Sequence, residues 1–475
     1  MLERFQCDRN KTLLDAIEVI NQNAKGMVFI VDHDRKLCGV LTDGDIRRLI
    51  LKGCPLQEIV GKVISNNFKY STVGESVDSR MAKLSDQIKF LPIVDKDFRL
   101  VDYFEVMHDV HVPIIAPDLK GNELKYLVEA FLSSWISSSG KYITDFESNF
   151  AKFCECPHGV ATSNGTAALH LALLACGVGP GDEVIVPDLT FAATINVVLH
   201  AGATPVIVDI EEDSWCIDPQ EIQKAITPRT KAIIPVHLYG QPCDMDAVMA
   251  IARKHKLFVI EDCAEAHGAQ YDGKKVGSFG DIGCFSFFGN KIITTGEGGM
   301  CVTASAVLAD RMRIFRDHGM SRERKYWHDV VGFNYRMTNL HAAIGLAQLE
   351  RIEEILASRR AVEEVYREKL QAVSVINFQA DALPKRRKIT WLVTALINNG
   401  ERDLVMSKLK QNGIDVRPLF YPLGDMDIYK KYLFSNPVSR RISSMGISFP
   451  TGAAADRLAI DRICQLFGSD LGVRS

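Results

Sequence analysis

Leu257-Phe258-Val259-Ile260-Glu261-Asp262-Cys263-Ala264-Glu265-Ala266-His267-Gly268 is four apolar residues running straight into two acids. A short apolar run without polar alternation reads as a strand covered on both faces, as in a parallel sheet. The same texture recurs at residues 183–186, 205–208 and 232–236, with helix patterns between strands, as at 165–175 and 246–254. That alternation predicts an α/β fold with a mostly parallel central sheet. Ligands of such sheets sit at the C-terminal ends of the strands. Asp262 at that edge can pair with a pyridinium nitrogen, or it can cap a following helix.

Two more strand ends carry polar groups. Gly159-Val160-Ala161-Thr162 leads into Ser163-Asn164-Gly165-Thr166 and a helix start. Free N–H groups and a partial positive charge there suit a phosphate, although a plain capped helix has the same signature. Cys284-Phe285-Ser286-Phe287-Phe288-Gly289-Asn290-Lys291 precedes the glycine-rich Thr294-Thr295-Gly296-Glu297-Gly298-Gly299-Met300. Desolvation would lower the pKa of Lys291 and permit Schiff-base chemistry; a solvated loop lysine is the alternative. A phosphate cradle, an acid for a ring nitrogen and a buried lysine together are what pyridoxal phosphate needs.

Outward from this centre the texture changes. Ile30-Val31-Asp32-His33-Asp34-Arg35-Lys36-Leu37 returns 63 residues later as Ile93-Val94-Asp95-Lys96-Asp97-Phe98-Arg99-Leu100. Each copy reads helix, strand, turn, strand. His111-Val112-Pro113 reads as a linker. One long amphipathic helix is expected over 339–369, then a smaller α+β region ending near Phe467. The expected domains are 1–109, 112–355 and 356–475. The 475 residues carry a net charge of −3, 47% hydrophobic and 24% charged residues. No basic face points to nucleic acid, and no apolar run is long enough for a membrane span. With charges where a signal peptide needs an apolar run, a cytoplasmic protein is expected. The 12 cysteines lie mostly in apolar segments, and Cys154 and Cys156 lack the second pair a zinc site needs. Reduced thiols and no metal are expected.

Over residues 112–475 the chain resembles the DegT/StrS family of sugar aminotransferases. The resemblance rests on Ser163-Asn164-Gly165-Thr166, Pro187-Asp188-Leu189-Thr190-Phe191, Pro235-Val236-His237-Leu238-Tyr239-Gly240, the 261–268 and 285–291 stretches above, and Gly332-Phe333-Asn334-Tyr335-Arg336. It implies the fold-type I, aspartate aminotransferase-like architecture and a pyridoxal 5'-phosphate cofactor. It makes Lys291 the residue that holds the cofactor and moves the proton, and Asp262 the partner of the ring nitrogen. Glu265 would lie near the ring hydroxyl, Phe191 would stack on the ring, and Gly165, Thr166 and Ser286 would hold the phosphate. Asn334 would reach the phosphate of a neighbouring subunit, which implies a homodimer with shared sites. Substrates would be a nucleotide-linked keto sugar, expected to be a 4-keto-6-deoxyhexose, and L-glutamate. Candidate sugar contacts are Trp135, in a loop ending at Gly140, and Arg336 and Arg417, whose guanidinium forks suit a diphosphate. Many relatives carry histidine where this chain has Gly424.

Residues 1–109 resemble a tandem CBS module. Gly39, Thr42 and Asp45 match its nucleotide motif, in which the threonine meets phosphate and the aspartate meets ribose. The second copy lacks the glycine and the threonine, so at most one regulatory nucleotide site per chain is expected; a purely structural module is the alternative. Two rival functions remain open: a pyridoxal-phosphate sugar dehydratase or a transaminase of a non-nucleotide keto sugar, and a non-catalytic pyridoxal-phosphate or nucleotide sensor. The dehydrating sister group carries histidine at the Lys291 position, which favours transamination here.

Overall fold

The computed structural model describes residues 2–469 except 24, 66, 77–78, 81–82, 85–87, 106–111, 372, 399, 453–454 and 456. Residues 1–109 and 110–475 form separate compact units.

In the first unit the repeat folds alike in both copies. β1 (Gln6–Asp8) pairs in parallel with β2 (Met27–Val31), which pairs antiparallel with β3 (Leu37–Thr42). β4 (Ser71–Thr72), β5 (Phe90–Val94) and β6 (Leu100–Glu105) repeat that order. Asp32 Oδ1 accepts the N–H groups of Asp34 and Lys36, and Asp95 Oδ1 those of Asp97 and Arg99, all at 2.9 Å. This is why aspartate opens both turns: its short carboxylate closes the backbone locally. The first copy also has α1 (Leu13–Asn23) and α2 (Asp43–Leu51). Thr42 caps α2 in a capping box. Its Oγ1 donates to Asp45 Oδ2 at 2.6 Å, and the Asp45 N–H donates back to Oγ1.

The second unit is built on a seven-stranded sheet. Its strands are β7 (His158–Thr162), β8 (Glu183–Pro187), β9 (Thr204–Val208), β10 (Thr230–Ile233), β11 (Phe258–Asp262), β12 (Ile282–Ser286) and β13 (Gly299–Thr303), in the order β9-β8-β10-β11-β12-β13-β7. Only β13 runs antiparallel to its neighbours. Nearly every residue of these strands is buried, which explains their unbroken apolar runs. The strand order reverses between β8 and β10, a switch point of the kind at which ligands of such sheets bind. α3 (Glu123–Leu132), α4 (Lys141–Phe153), α5 (Gly165–Ala175), α6 (Ala193–His200) and α7 (Met245–His255) belong to this layer.

The expected 339–369 helix is two: α8 (Asn339–Glu350) and α9 (Ile352–Leu370). Arg351 breaks it with φ −112° and ψ 12°, its guanidinium held by Glu354 and Asp118. The apolar period continues across the break, so periodicity alone could not show it. The expected boundary at 355/356 falls inside α9. Beyond it, β14 (Ile376–Phe378), β15 (Val393–Ile397), β16 (Arg417–Pro418) and β17 (Gly446–Phe449) form an antiparallel sheet in the order β14-β15-β17-β16. α10 (Pro437–Met445) and α11 (Arg457–Ser469) accompany it. Of the expected linker, His111 lies outside the described residues. Val112 is no tether: it is buried and exchanges main-chain hydrogen bonds with Gly413 and Asp415. Among the described residues no helix is long and apolar enough to cross a membrane.

Candidate active site

β12 delivers Lys291. Phe285 and Phe287 are fully buried and anchor the strand end. Phe287 N–H donates to Gly298 O, Thr295 N–H to Phe287 O, and Lys291 N–H to Phe288 O, so the loop is closed on itself. The Lys291 Nζ lies 3.6 Å from Glu265 Oε1. Burial pulls the lysine below its ordinary pKa, with Glu265 and Asp262 opposing. Burial pushes Glu265 up to about 7, with Lys291 opposing. Burial pushes both toward their neutral forms, the direction that favours nucleophilic amine chemistry.

Asp262 ends β11. Its carboxylate accepts Thr194 Oγ1–H at 2.9 Å and the Ala264 N–H at 3.1 Å. No helix starts after it; residues 263–269 are turns. The helix-cap alternative therefore fails. Burial raises its pKa, opposed by Ala264, Thr194 and Lys291. A carboxylate in this state gains from a nearby cation, so it suits a protonated ring nitrogen.

At the start of α5, Asn164 caps the helix by accepting the Ala167 N–H at 2.8 Å. The remaining first-turn N–H groups have no partner inside the helix. Gly165 sits against β12: a Cβ there would come 2.7 Å from Ser286 Cβ. The cap and the cradle are thus compatible, and Gly165, Thr166 and Ser286 belong to one corner. Phe191 follows β8, is 61% exposed, and lies 6.0 Å from the Phe420 ring.

No described hydrogen bond or ion pair joins the other candidates to Lys291, Asp262 or Glu265 within one chain. Asn334 is exposed and accepts from Arg336 at 3.1 Å, and Arg336 also binds Asp317. The main chain of the intervening Tyr335 accepts Ser163 N–H, beside the α5 corner. Arg417 is exposed, 3.9 Å from Asp415. Trp135 is exposed and borders a cavity of about 460 Å³ with Tyr142 and Asn339. Asn339 pins this loop, donating to Trp135 O at 2.7 Å. Gly424 donates its N–H to Asp188 at 2.6 Å, and a Cβ there would meet Leu433 Cδ1 at 2.5 Å. This packing leaves no room for a histidine side chain. In the separate first unit, Thr42 and Asp45 are engaged with each other.

His237, Glu261 and Cys263 form a buried cluster of metal-ligand type within 4.8 Å. Its histidine and its carboxylate already have partners. His237 Nδ1 accepts Cys243 N–H, which puts the ring proton on Nε2 facing Glu261 at 3.0 Å. Glu261 also accepts from Gly277, Phe279 and Gly280. The cluster braces β11 beneath Asp262. Cys154 and Cys156 are buried free thiols.

Sequence reasoning missed four residues. Thr194 orients Asp262. Tyr239 donates its N–H to Glu265 Oε2 at 2.9 Å; its motif was visible, its role was not. Trp391 and Arg359 touch Asn290 and Lys291 from far along the chain, without local signal.

The DegT/DnrJ/EryC1/StrS aminotransferase family profile matches residues 117–467, and a CBS domain profile matches residues 3–52. A GDP-perosamine synthase of Caulobacter vibrioides is 48% identical over 356 residues, covering 74% of this chain and 96% of that one. A GDP-perosamine synthase of Escherichia coli O157:H7 is 43% identical over 356 residues, covering 75% and 97%. The crystal structure of S. venezuelae DesV superposes with a TM-score of 0.69 at 35% identity, covering 72% of this chain and 92% of that one.

Proposed function

Because this chain belongs to the DegT/DnrJ/EryC1/StrS family of pyridoxal-phosphate-dependent sugar aminotransferases, we propose that it moves an amino group from L-glutamate to a nucleotide-linked 4-keto-6-deoxyhexose. The observation that carries the chemistry is Lys291 Nζ facing Glu265 at 3.6 Å beside a buried Asp262. The names of the two relatives point to a GDP-linked sugar; a role in surface glycan synthesis is part of this proposal.

The residues present fit the cofactor. Burial disfavours the charged form of both carboxylates beside Lys291, so a further positive charge there would be stabilising, and a glycine-led helix start adjoins Ser286. Lys291 would hold pyridoxal phosphate, Asp262 would pair with its ring nitrogen and Glu265 would lie near its hydroxyl. Gly165, Thr166 and Ser286 would take its phosphate, with Asn334 of a second copy completing that shell. When bound, the cofactor supplies an electron sink that weakens a C–H bond next to nitrogen. Lys291 Nζ then takes the proton from one carbon and returns it to another. Thr194 and Ala264 donate to Asp262 and oppose the rise that burial imposes on its pKa. Phe191 would stack on the cofactor ring. Lysine at position 291, where the dehydrating sister group carries histidine, favours transamination over dehydration. Trp135, Arg336 and Arg417 remain our candidates for the sugar nucleotide.

Incubation of the purified protein with pyridoxal phosphate, L-glutamate and a panel of GDP-, UDP- and dTDP-linked keto sugars tests the reading. One member should give an amino sugar and an equal amount of 2-oxoglutarate. Loss of water without amination would establish the dehydratase instead. Cofactor-loaded protein that aminates no member of the panel would overturn the acceptor assignment.

A further inference from the structure

The Lys291 amine has a second neighbour besides Glu265. Its Nζ lies 4.1 Å from the centroid of the Trp391 ring. Trp391 is 4% exposed, and its indole N–H donates to the carbonyl of Asn290, the residue before Lys291, at 2.7 Å. Arg359 on α9 closes the arrangement: it donates to Lys291 O and to Trp391 O, each at 2.9 Å. Arg359 is in none of the described ion pairs, although it is only 4% exposed; two main-chain carbonyls stand where a buried guanidinium usually has a carboxylate. The root of Lys291 is therefore fixed, and its amine rests over an aromatic face. Trp391 is itself backed by a column of rings. Tyr239 stacks on it at 5.6 Å and 17°, and Phe420 stacks on Tyr239 at 5.5 Å and 16°.

We propose that Trp391 is a positioning residue for the transamination, holding the Lys291 amine whenever that amine is free of the cofactor. This rests on Lys291 being the lysine that carries the cofactor. A transaminase lysine must leave the cofactor, wait nearby and carry a proton. A free four-carbon side chain has many rotamers, and settling into one costs free energy at each turnover. An indole face attracts an ammonium electrostatically and offsets part of the desolvation that drives the proton off. It carries no charge and takes no proton, so it cannot compete as a second carboxylate would. Glu265 and the ring together define one resting place within reach of the reacting carbons.

The test reads the amine directly in the cofactor-free protein. Competitive labelling with isotope-coded acetic anhydride across pH, read on the Lys291 peptide, gives the titration midpoint of that amine. Trp391→Leu should lower the midpoint by about 1 pH unit, and Trp391→Phe, which keeps a ring, by less. Biosynthetic replacement of tryptophan by increasingly fluorinated analogues keeps the shape and weakens the ring's negative face. The midpoint should fall stepwise, even should Trp391→Leu not fold. In the loaded enzyme Trp391→Leu should lower kcat about tenfold with the sugar KM within about twofold, and Trp391→Phe should restore most of kcat. An unchanged midpoint in the fluorinated series would overturn the proposal and leave Trp391 a packing residue. Borohydride mapping of the wild-type protein separates the two readings: a pyridoxyl group on another lysine removes the cofactor assignment, whatever the labelling shows.

Discussion

Lys291 and Asp262 stand at strand ends that the sequence marks, and their assigned roles give direct predictions. Borohydride reduction of the loaded protein should place the pyridoxyl group on Lys291. Lys291→Ala should still bind cofactor and lose roughly four orders of magnitude in turnover, since covalent exchange and proton transfer both go. Asp262→Asn keeps the shape and loses the charge, so kcat should fall by roughly two orders of magnitude or more. Near wild-type turnover in Asp262→Asn would show a purely structural carboxylate. His170, on α5, gives a pH prediction. It is 5% exposed and faces Tyr335 Oη at 3.2 Å and the His200 ring at 6.0 Å. Burial, helped by His200, lowers its pKa to about 4. Below about pH 6.5 the unfolded chain takes up a proton that the folded chain refuses, so stability falls as pH drops from 6.5 to 4. The loss is about 2 kcal/mol after solvent screening is allowed for. Urea midpoints between pH 4.5 and 7 should fall less steeply in His170→Asn than in wild type; parallel curves would contradict this.

At the scale of elements, the close approach of α5 to β12 is the feature to perturb. Gly165→Ala places a methyl 2.7 Å from Ser286 Cβ, so the helix start must move. Overpacking of this kind costs about 1–3 kcal/mol, and here it falls on the phosphate corner. Titration of the apoprotein with pyridoxal phosphate should show affinity reduced about tenfold or more. Unchanged affinity would mean that the phosphate does not sit there. Element scale is also where periodicity misled. The 339–369 pattern hid the break at Arg351, because that break is set by Asp118, a residue more than two hundred positions away, together with Glu354.

For the whole molecule, Asn334 is exposed, and no described hydrogen bond or ion pair joins it to Lys291, Asp262 or Glu265 of its own chain. If it completes a neighbour's site, mixing inactive Lys291→Ala chains with inactive Asn334→Ala chains should restore activity, approaching a quarter of wild type. No recovery after confirmed subunit exchange would show that each chain completes its own site. In the first unit, Thr42 and Asp45 engage each other, and a nucleotide would have to share or break that capping box. A regulatory nucleotide should bind the full chain by calorimetry, with one site per chain. It should change kcat or KM several-fold, and Thr42→Val should weaken its binding. A chain that binds no nucleotide at millimolar concentration would leave this unit a structural module.

The strands, the order of the motifs and the positions of Lys291, Asp262 and the α5 corner were legible in the sequence alone. They are local: a buried parallel strand must be apolar along its length, and the residue after it must be polar where a ligand meets the strand end. The repeat in the first unit was legible for the same reason, since each aspartate closes its own turn. What surrounds the lysine was not. Trp391 and Arg359 lie 100 and 68 residues beyond Lys291. Only the packing of α9 and the strand entry at Trp391 against the 287–298 loop brings them to it. Thr194 meets Asp262 only because β8 and β11 flank the same strand, β10. Sequence fixes which residue types can do the chemistry, because their bonds and charges are their own. The shifted pKa values of Lys291 and Glu265 and the resting place of the amine come from burial and non-local neighbours, and these exist only once the chain has folded.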